Sequence, residues 1–266
     1  MPQGRRVRER VPAQSAMAAV VAAQHEARTR GTLARLAGVS PLTAQARLHY
    51  RAALGELLVG DILDGLGQRW DTLHDVPLAE GRTLDHLVMG PAGTFAVLAA
   101  NYGGHDVVVD GDLLLASGEP HNDIELCVEQ ADAAAEALSS AAGSPVPVQA
   151  LLVVVAPRRL VMRREPSGVR VLASGQLHRA LSRADELSSG IEVARLSDLA
   201  DLETTWPAAS TLTLDTQRLN REFTVLRAEV RSARVVRLIW GGVALVGSYA
   251  LIWAAVATWS SGYFAQ

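Results

Sequence analysis

The spacing of apolar and polar residues changes period along the chain, and each change marks a new element. Ala and Arg dominate from Ala16 to Leu36, a composition that predicts helix. From Leu42 to Leu66, Leu48, Ala52, Leu54, Leu58, Val59, Ile62, Leu63 and Leu66 recur at helical intervals. Pro41 after Ser40 supplies a start, since Ser caps a helix and Pro is preset for its first turn. At Thr72 the helical period stops. Leu73–Leu78, Leu84–Met89 and Phe95–Ala99 predict short strands, with turns at Glu80-Gly81-Arg82 and Gly90-Pro91-Ala92-Gly93. Val107–Val109 and Leu113–Leu115 flank Asp110-Gly111-Asp112, a hairpin signal, which completes an expected antiparallel set of about five strands.

A second helix is expected over Asn122–Leu138, capped by Asn122 or Asp123, with Ile124, Cys127, Val128, Ala131, Ala135 and Leu138 on one face. Val148–Val155 is an unbroken apolar run of strand length, as expected for a strand covered on both faces. Leu160–Met162 and Val169–Leu172 predict edge strands, and Gly175–Leu181 and Ser197–Leu202 predict small helices. Strands, then a helix, then a buried strand predict a mixed α/β sandwich.

Thr211–Arg237 predicts a long helix with Leu212, Leu219, Phe223, Leu226, Val230 and Ala233 along a heptad-like seam. A stalk packed on its own domain is the default expectation; a homodimer through the seam is the alternative. Leu238–Trp259 then runs for 22 residues without a charge. At 1.5 Å per residue it spans roughly 33 Å, about the thickness of a bilayer core. Trp240 stands at one end and Trp259, Tyr263 and Phe264 at the other, where aromatic belts form. Arg231, Arg234 and Arg237 precede the run and no charge follows it. The expectation is a single-pass protein of the cell membrane, with the lipid bilayer as a partner and the N-terminal bulk cytoplasmic.

Composition and charge narrow the chemistry. The chain has 266 residues, 49% of them hydrophobic, enough for one domain with a sizeable core and additional segments. All 25 basic residues are Arg, which suggests a GC-rich genome and excludes any step that needs a Lys ammonium. The single Cys127 excludes an internal disulfide and is expected to be a small buried hydrophobe. A net charge of −3 conceals a strong asymmetry. Residues 1–70 carry 10 Arg against 5 acids, residues 71–156 carry 13 acids against Arg82 alone, and residues 157–266 carry 14 Arg against 10 acids. The acidic centre disfavours nucleic acid, which needs clustered cations to replace its counterions. Only the flanks could supply them, such as Arg5, Arg6, Arg8 and Arg10 in Met1–Pro12, a stretch expected to be a solvated tail. Ala16–Ala23 is too short, and lacks a convincing cleavage site, for a signal peptide. The chain holds no GxxxxGK loop, paired-Cys zinc spacing, HExxH or GxSxG. His105, Asp106, Asp110 and Asp112 are expected to be solvated around the hairpin.

One constellation remains. Gly55-Glu56 lies on the first long helix, followed by Leu84-Asp85-His86-Leu87-Val88, Gly90-Pro91-Ala92-Gly93-Thr94-Phe95, Asn101-Tyr102-x-Gly104 and Gln130-Ala131. This order, over roughly residues 50–155, resembles the NERD (nuclease-related) domain of the PD-(D/E)xK nuclease superfamily; bacterial members with an added membrane segment fit the C-terminal run. The resemblance implies a restriction-endonuclease-like mixed sheet flanked by helices. It also implies a site in which two acids hold Mg²⁺ and a Lys two residues after the second acid steadies the developing charge. On this sequence Asp85 matches the first acid and Glu56 the helix acid, and Gln130 is a third vestigial position. The second acid falls at Leu98 and the Lys at Ala100, so no catalytic set is intact. On its helix Glu56 reads as an exposed acid or as one aimed into a cleft, and His86 as a structural or edge histidine.

The expected organisation is an Arg/Ala-rich segment (1–40), a NERD-like domain (41–173), a small helical tail (174–207), a stalk (208–237), a transmembrane helix (238–259) and a short external tail (260–266). The expected function is that of a membrane-anchored pseudo-nuclease, without a cofactor, acting as an interaction or scaffolding module for a protein partner. The alternatives are a weak Mg²⁺-dependent nuclease with an acid relocated to Glu125 or Glu129, metal candidates beside Asp85 and Glu56, and a non-cleaving nucleic-acid tether.

Overall fold

The computed structural model describes residues 6–25, 31–206 and 215–263. Two helices, α1 (Gln14–His25) and α2 (Thr32–Leu36), precede the long α3 (Ala44–Asp64). Strands β1 (Asp71–Pro77), β2 (Thr83–Gly90) and β3 (Gly93–Asn101) follow, then β4 (Asp106–Asp110), β5 (Leu113–Ala116) and β6 (Glu119–His121). After them come α4 (Asp123–Ala142), β7 (Val148–Val155), β8 (Arg159–Arg164), β9 (Val169–Ala173), α5 (Ser174–Ser182), α6 (Gly190–Asp201) and the terminal α7 (Thr216–Tyr263). The architecture is mixed α/β, as the sequence predicts. The strands, however, do not form one antiparallel set: they divide into two mixed sheets, ordered β1-β2-β3-β7-β9 and β6-β5-β4-β8.

The first sheet is the frame. β1, β2 and β3 are antiparallel, and β3, β7 and β9 are parallel. A two-residue turn at Pro91-Ala92 joins β2 to β3, pairing Gly90 with Gly93. Gly90 is required there: a Cβ would lie 2.2 Å from the Trp70 ring. Alternation along β3 and β7 sorts side chains into two cores. Ala96, Leu98, Ala100, Leu152 and Val154 join a cluster with Cys127, Ala131 and Leu138 of α4. Phe95, Val97, Ala99, Leu151 and Val153 join Val59 and Leu63 of α3 and Leu177 and Leu181 of α5. Cover on both faces is why Val148–Val155 tolerates no polar residue after Gln149. β8 leaves this sheet and pairs in parallel with β4, so the Asp110–Asp112 hairpin belongs to a separate small sheet.

Several local expectations are corrected. The cap of α3 is Thr43, whose hydroxyl accepts the Ala46 N–H at 3.0 Å, and not Ser40. Leu48 and Leu58 of α3 are exposed, while Ala46, Ala53, Gly55, Glu56 and Gly60 are buried. The inner face combines these small residues with Tyr50, Val59 and Leu63. The stalk and the apolar run form one continuous helix, α7. Its seam residues Leu219, Phe223 and Leu226 pack with Met17 and Val20 of α1 and Tyr50 and Ala53 of α3. Leu212 lies outside the described residues.

Residues 6–13, the described part of the segment before α1, are not a solvated tail; residues 1–5, with Arg5, lie outside the described residues. Val7 is fully buried in the main core. The Arg8 N–H donates to Asp201 at 2.9 Å and its guanidinium to Asp71 at 2.6 Å. Arg10 donates to both the carboxylate and the carbonyl of Asp75 at 2.9 Å. Asp75, buried and at φ 51°, also accepts from the N–H and hydroxyl of Ser15. A buried carboxylate needs such partners, and the arm supplies them.

Candidate functional site

The sequence motifs converge because α3 lies directly on β3. At Gly55 the helix backbone approaches so closely that a Cβ would sit 3.1 Å from the Asn101 Cβ and 3.4 Å from the Ala99 oxygen. Asn101 fastens the junction: its amide donates to the Arg51 carbonyl at 2.8 Å and its side-chain oxygen accepts the Gly103 N–H at 3.1 Å. Gly55-Glu56 and Asn101-Tyr102-x-Gly104 are therefore two halves of one contact. Its product is a cavity of about 430 Å³ lined by Glu56, Asp85, Leu98, Ala100, Tyr102 and Asp123, among others.

Glu56 is buried and faces this cavity, so it is the cleft acid and not the exposed one. Burial pushes its carboxyl well above the ordinary range, and the charges of Asp85 and Asp75 push it further. Asp85, on β2, accepts the Ala99 N–H at 2.8 Å. Burial raises it to about 7; the Ala99 N–H opposes that shift, while the charges of Asp75 and Asp123 add to it. Leu98 and Ala100 of β3 line the same cavity and belong to the apolar core beneath it. Among the described residues no group of three or more His, Cys, Asp or Glu is placed to hold a metal.

The cavity also holds Tyr102, named by its motif, and residues that the sequence did not tie to the site, Asp123 and His121. The Tyr102 hydroxyl donates to Asp123, and the Tyr102 ring meets His121 edge-on at 5.0 Å. Burial first, and the Asp123 contact second, raise the Tyr102 phenol. Arg51, His105, Glu119 and His121 also line the cavity. Asp123 had a visible signal only as a helix-capping residue; nothing in its spacing tied it to Tyr102.

Other expected positions lie elsewhere. Glu125 and Glu129 are exposed and do not line the cavity, and Glu129 pairs with Arg82 at 3.4 Å. The acid that α4 contributes is Asp123. Gln130 is buried behind β2, donating to the Thr83 carbonyl at 3.1 Å. His86 is structural: it is fully buried and shares a 2.8 Å hydrogen bond with His74, and burial holds it well below the usual imidazole range. Cys127 is buried, its thiol pushed up to about 12 by burial. Around the hairpin, Asp106 pairs with Arg158, Asp110 with Arg164, and Asp112 accepts the Ser167 N–H.

At the C-terminus, one helix among the described residues is long and apolar enough to cross a membrane, with mean hydropathy 1.8 and its most apolar stretch fully exposed. Arg231 and Arg234 are exposed, whereas Arg237 and Trp240 hydrogen-bond to the backbone before α3. The side chain of Trp259, with Phe264, lies outside the described residues.

No curated protein and no solved structure matches the chain. A family model does: residues 51–155 match the nuclease-related domain, a span running from within α3 to the last residue of β7. That span holds the α3–β3 junction, the cavity acids Glu56, Asp85, Glu119 and Asp123, and the apolar positions Leu98 and Ala100. The chain therefore carries a NERD domain at residues 51–155, followed by a helix of membrane-spanning length.

Proposed function

We propose that this protein is a membrane-held NERD-domain protein whose nuclease-type cleft no longer hydrolyses phosphodiesters. In this reading the domain acts at the cytoplasmic face of the cell membrane as an interaction module for a protein partner. The observation that carries the proposal is the pair Leu98 and Ala100, apolar side chains on the cavity wall where the resemblance calls for an acid and a Lys. The donor set does not fit Mg²⁺, which demands near-octahedral oxygen ligands and dehydrates reluctantly. Ligand carboxyls must be deprotonated, yet Glu56 and Asp85 both hold their protons more tightly than ordinary carboxyls, and Asp123 is engaged by Tyr102. With no Lys in the chain, nothing replaces the missing cation in kind.

The test is cleavage of linear and supercoiled DNA by the full chain in detergent, with Mg²⁺ or Mn²⁺. The expected result is no cleavage above a protein-free blank. Metal-dependent cleavage that Asp85→Ala abolishes overturns the proposal. One observation favours a second reading, a weak nuclease with a relocated acid: Glu56, Asp85 and Asp123 line one cavity. On that reading Asp123→Asn abolishes cleavage, whereas Glu125→Gln and Glu129→Gln leave it intact.

A further inference from the structure

Between α1 and α3 the chain makes an excursion, Gly31–Val39, whose large apolar side chains join none of the three cores, whereas Leu42 just after it is buried. Leu33 is 82% exposed, Leu36 67% and Val39 49%. Leu33 and Leu36, three residues apart on α2, share a helix face. The backbone of the excursion is nevertheless fastened to α7. The Trp240 indole donates to the Leu36 carbonyl at 2.8 Å, and the Arg237 guanidinium donates to the Gly38 carbonyl at 3.1 Å. Gly38, at φ +68°, lies against the helix itself: a Cβ would sit 2.7 Å from the Arg237 nitrogen and 2.8 Å from the Ala233 oxygen. The contact falls on the last charged turn of α7, immediately before the uncharged run that opens at Leu238.

Three exposed apolar side chains thus stand at the level where α7 changes from charged to uncharged. The charges nearby in sequence, Arg35, Arg234 and Arg237, are all cationic, and an indole sits at the join. Apolar groups beside Arg and Trp suit the boundary between lipid headgroups and acyl chains. Leu238 and Ile239, which open the uncharged run of α7, are exposed as well, so a bilayer crossed by α7 would begin at the level where the excursion is fastened. We propose that Gly31–Val39 is an interfacial membrane anchor. Leu33, Leu36 and Val39 enter the near leaflet of the bilayer that α7 crosses. The domain is then held at two points, which sets its orientation on the membrane. This inference rests on α7 being a membrane span.

The test uses the full chain reconstituted in vesicles of phosphatidylcholine and phosphatidylglycerol. Leu33→Cys, Leu245→Cys and Leu187→Cys are each labelled with a polarity-sensitive fluorophore; native Cys127 is buried and escapes labelling. Leu187 is an exposed control whose N–H donates to the Pro91 carbonyl at the β2–β3 turn. Spin labels on shallow or deep acyl positions then quench by depth. The expected result is deep quenching at Leu245, and shallow quenching at Leu33 at least threefold above Leu187. Quenching at Leu245 with Leu33 no higher than Leu187 overturns the anchor and leaves the span standing. Absence of quenching at Leu245 removes the span and the anchor together.

Discussion

At the scale of single residues, the cavity brings together two acids that lie far apart in sequence, Glu56 on a helix and Asp85 on a strand. The burial of Asp85, with the charges of Asp75 and Asp123, has a thermodynamic consequence. An unfolded Asp titrates near about 3.9, whereas folded Asp85 titrates at about 7. Between those values the folded chain holds a proton that the unfolded chain has lost. The stability from this group is full below the unfolded value and is lost as pH rises through about 7. Glu56 shifts in the same direction. Asp85→Asn keeps an oxygen for the Ala99 N–H but cannot ionise. Denaturation of the full chain between pH 5 and 8 is expected to show wild-type stability falling relative to the variant; parallel pH profiles would refute the coupling. Asp85 and its flanking motif were legible in the sequence. The burial of Glu56 was not, because the apolar pattern weights Leu48 and Leu58, both exposed. Close approach at Gly55 buries the acid instead.

At the scale of elements, the first half of α7 is a packing helix before it is a stalk. Phe223 is buried against Tyr50, ring centroids 5.6 Å apart, and Leu219 and Leu226 flank it. A homodimer through this seam would have to break these contacts with α1 and α3. Phe223→Ala in the full chain is expected to cost about 3–5 kcal/mol, read from the denaturation midpoint in detergent. Val225, exposed on the same helix, is the control, and Val225→Ala is expected to stay within about 0.5 kcal/mol. Equal effects of the two substitutions would mean that the seam does not pack on the domain. Element type and order were largely legible: the Gly90–Gly93 turn, the Asp110–Asp112 hairpin and the Val148–Val155 strand lie where periodicity places them. Partner choice was not, since a short apolar strand such as Leu160–Met162 carries no mark of which sheet it will join.

At the scale of the whole molecule, charge asymmetry becomes an internal fastening. The basic N-terminal arm binds acids of the fold, Arg8 to Asp71 and Asp201, and Arg10 to Asp75. These cations are therefore already engaged, which weakens any reading of the arm as a nucleic-acid tether. Arg10→Ala leaves Asp75 buried with only Ser15 as a side-chain partner and is expected to cost about 3 kcal/mol. Arg158→Ala removes an exposed pair with Asp106 and is expected to cost under about 1 kcal/mol. Chemical denaturation of the two variants side by side checks the contrast; similar small losses would mean that the arm is peripheral to stability.

The sequence by itself determined what depends on local periodicity and on residue identity. It marked the strands and helices, the uncharged 22-residue run, the NERD motif order, and the absence of an acid at position 98 and of Lys anywhere. These follow from spacing along one chain and need no knowledge of what packs on what. Only the tertiary structure decided what depends on juxtaposition. It set Asp123 and Tyr102 in one cavity with Glu56 and Asp85, and it left Glu125 and Glu129 outside. It joined the basic arm to the acidic core, and it brought Leu36 and Gly38 to the last charged turn of α7. Such contacts arise where small residues let backbones meet and where buried charges find partners, and neither condition is written in the hydrophobic pattern.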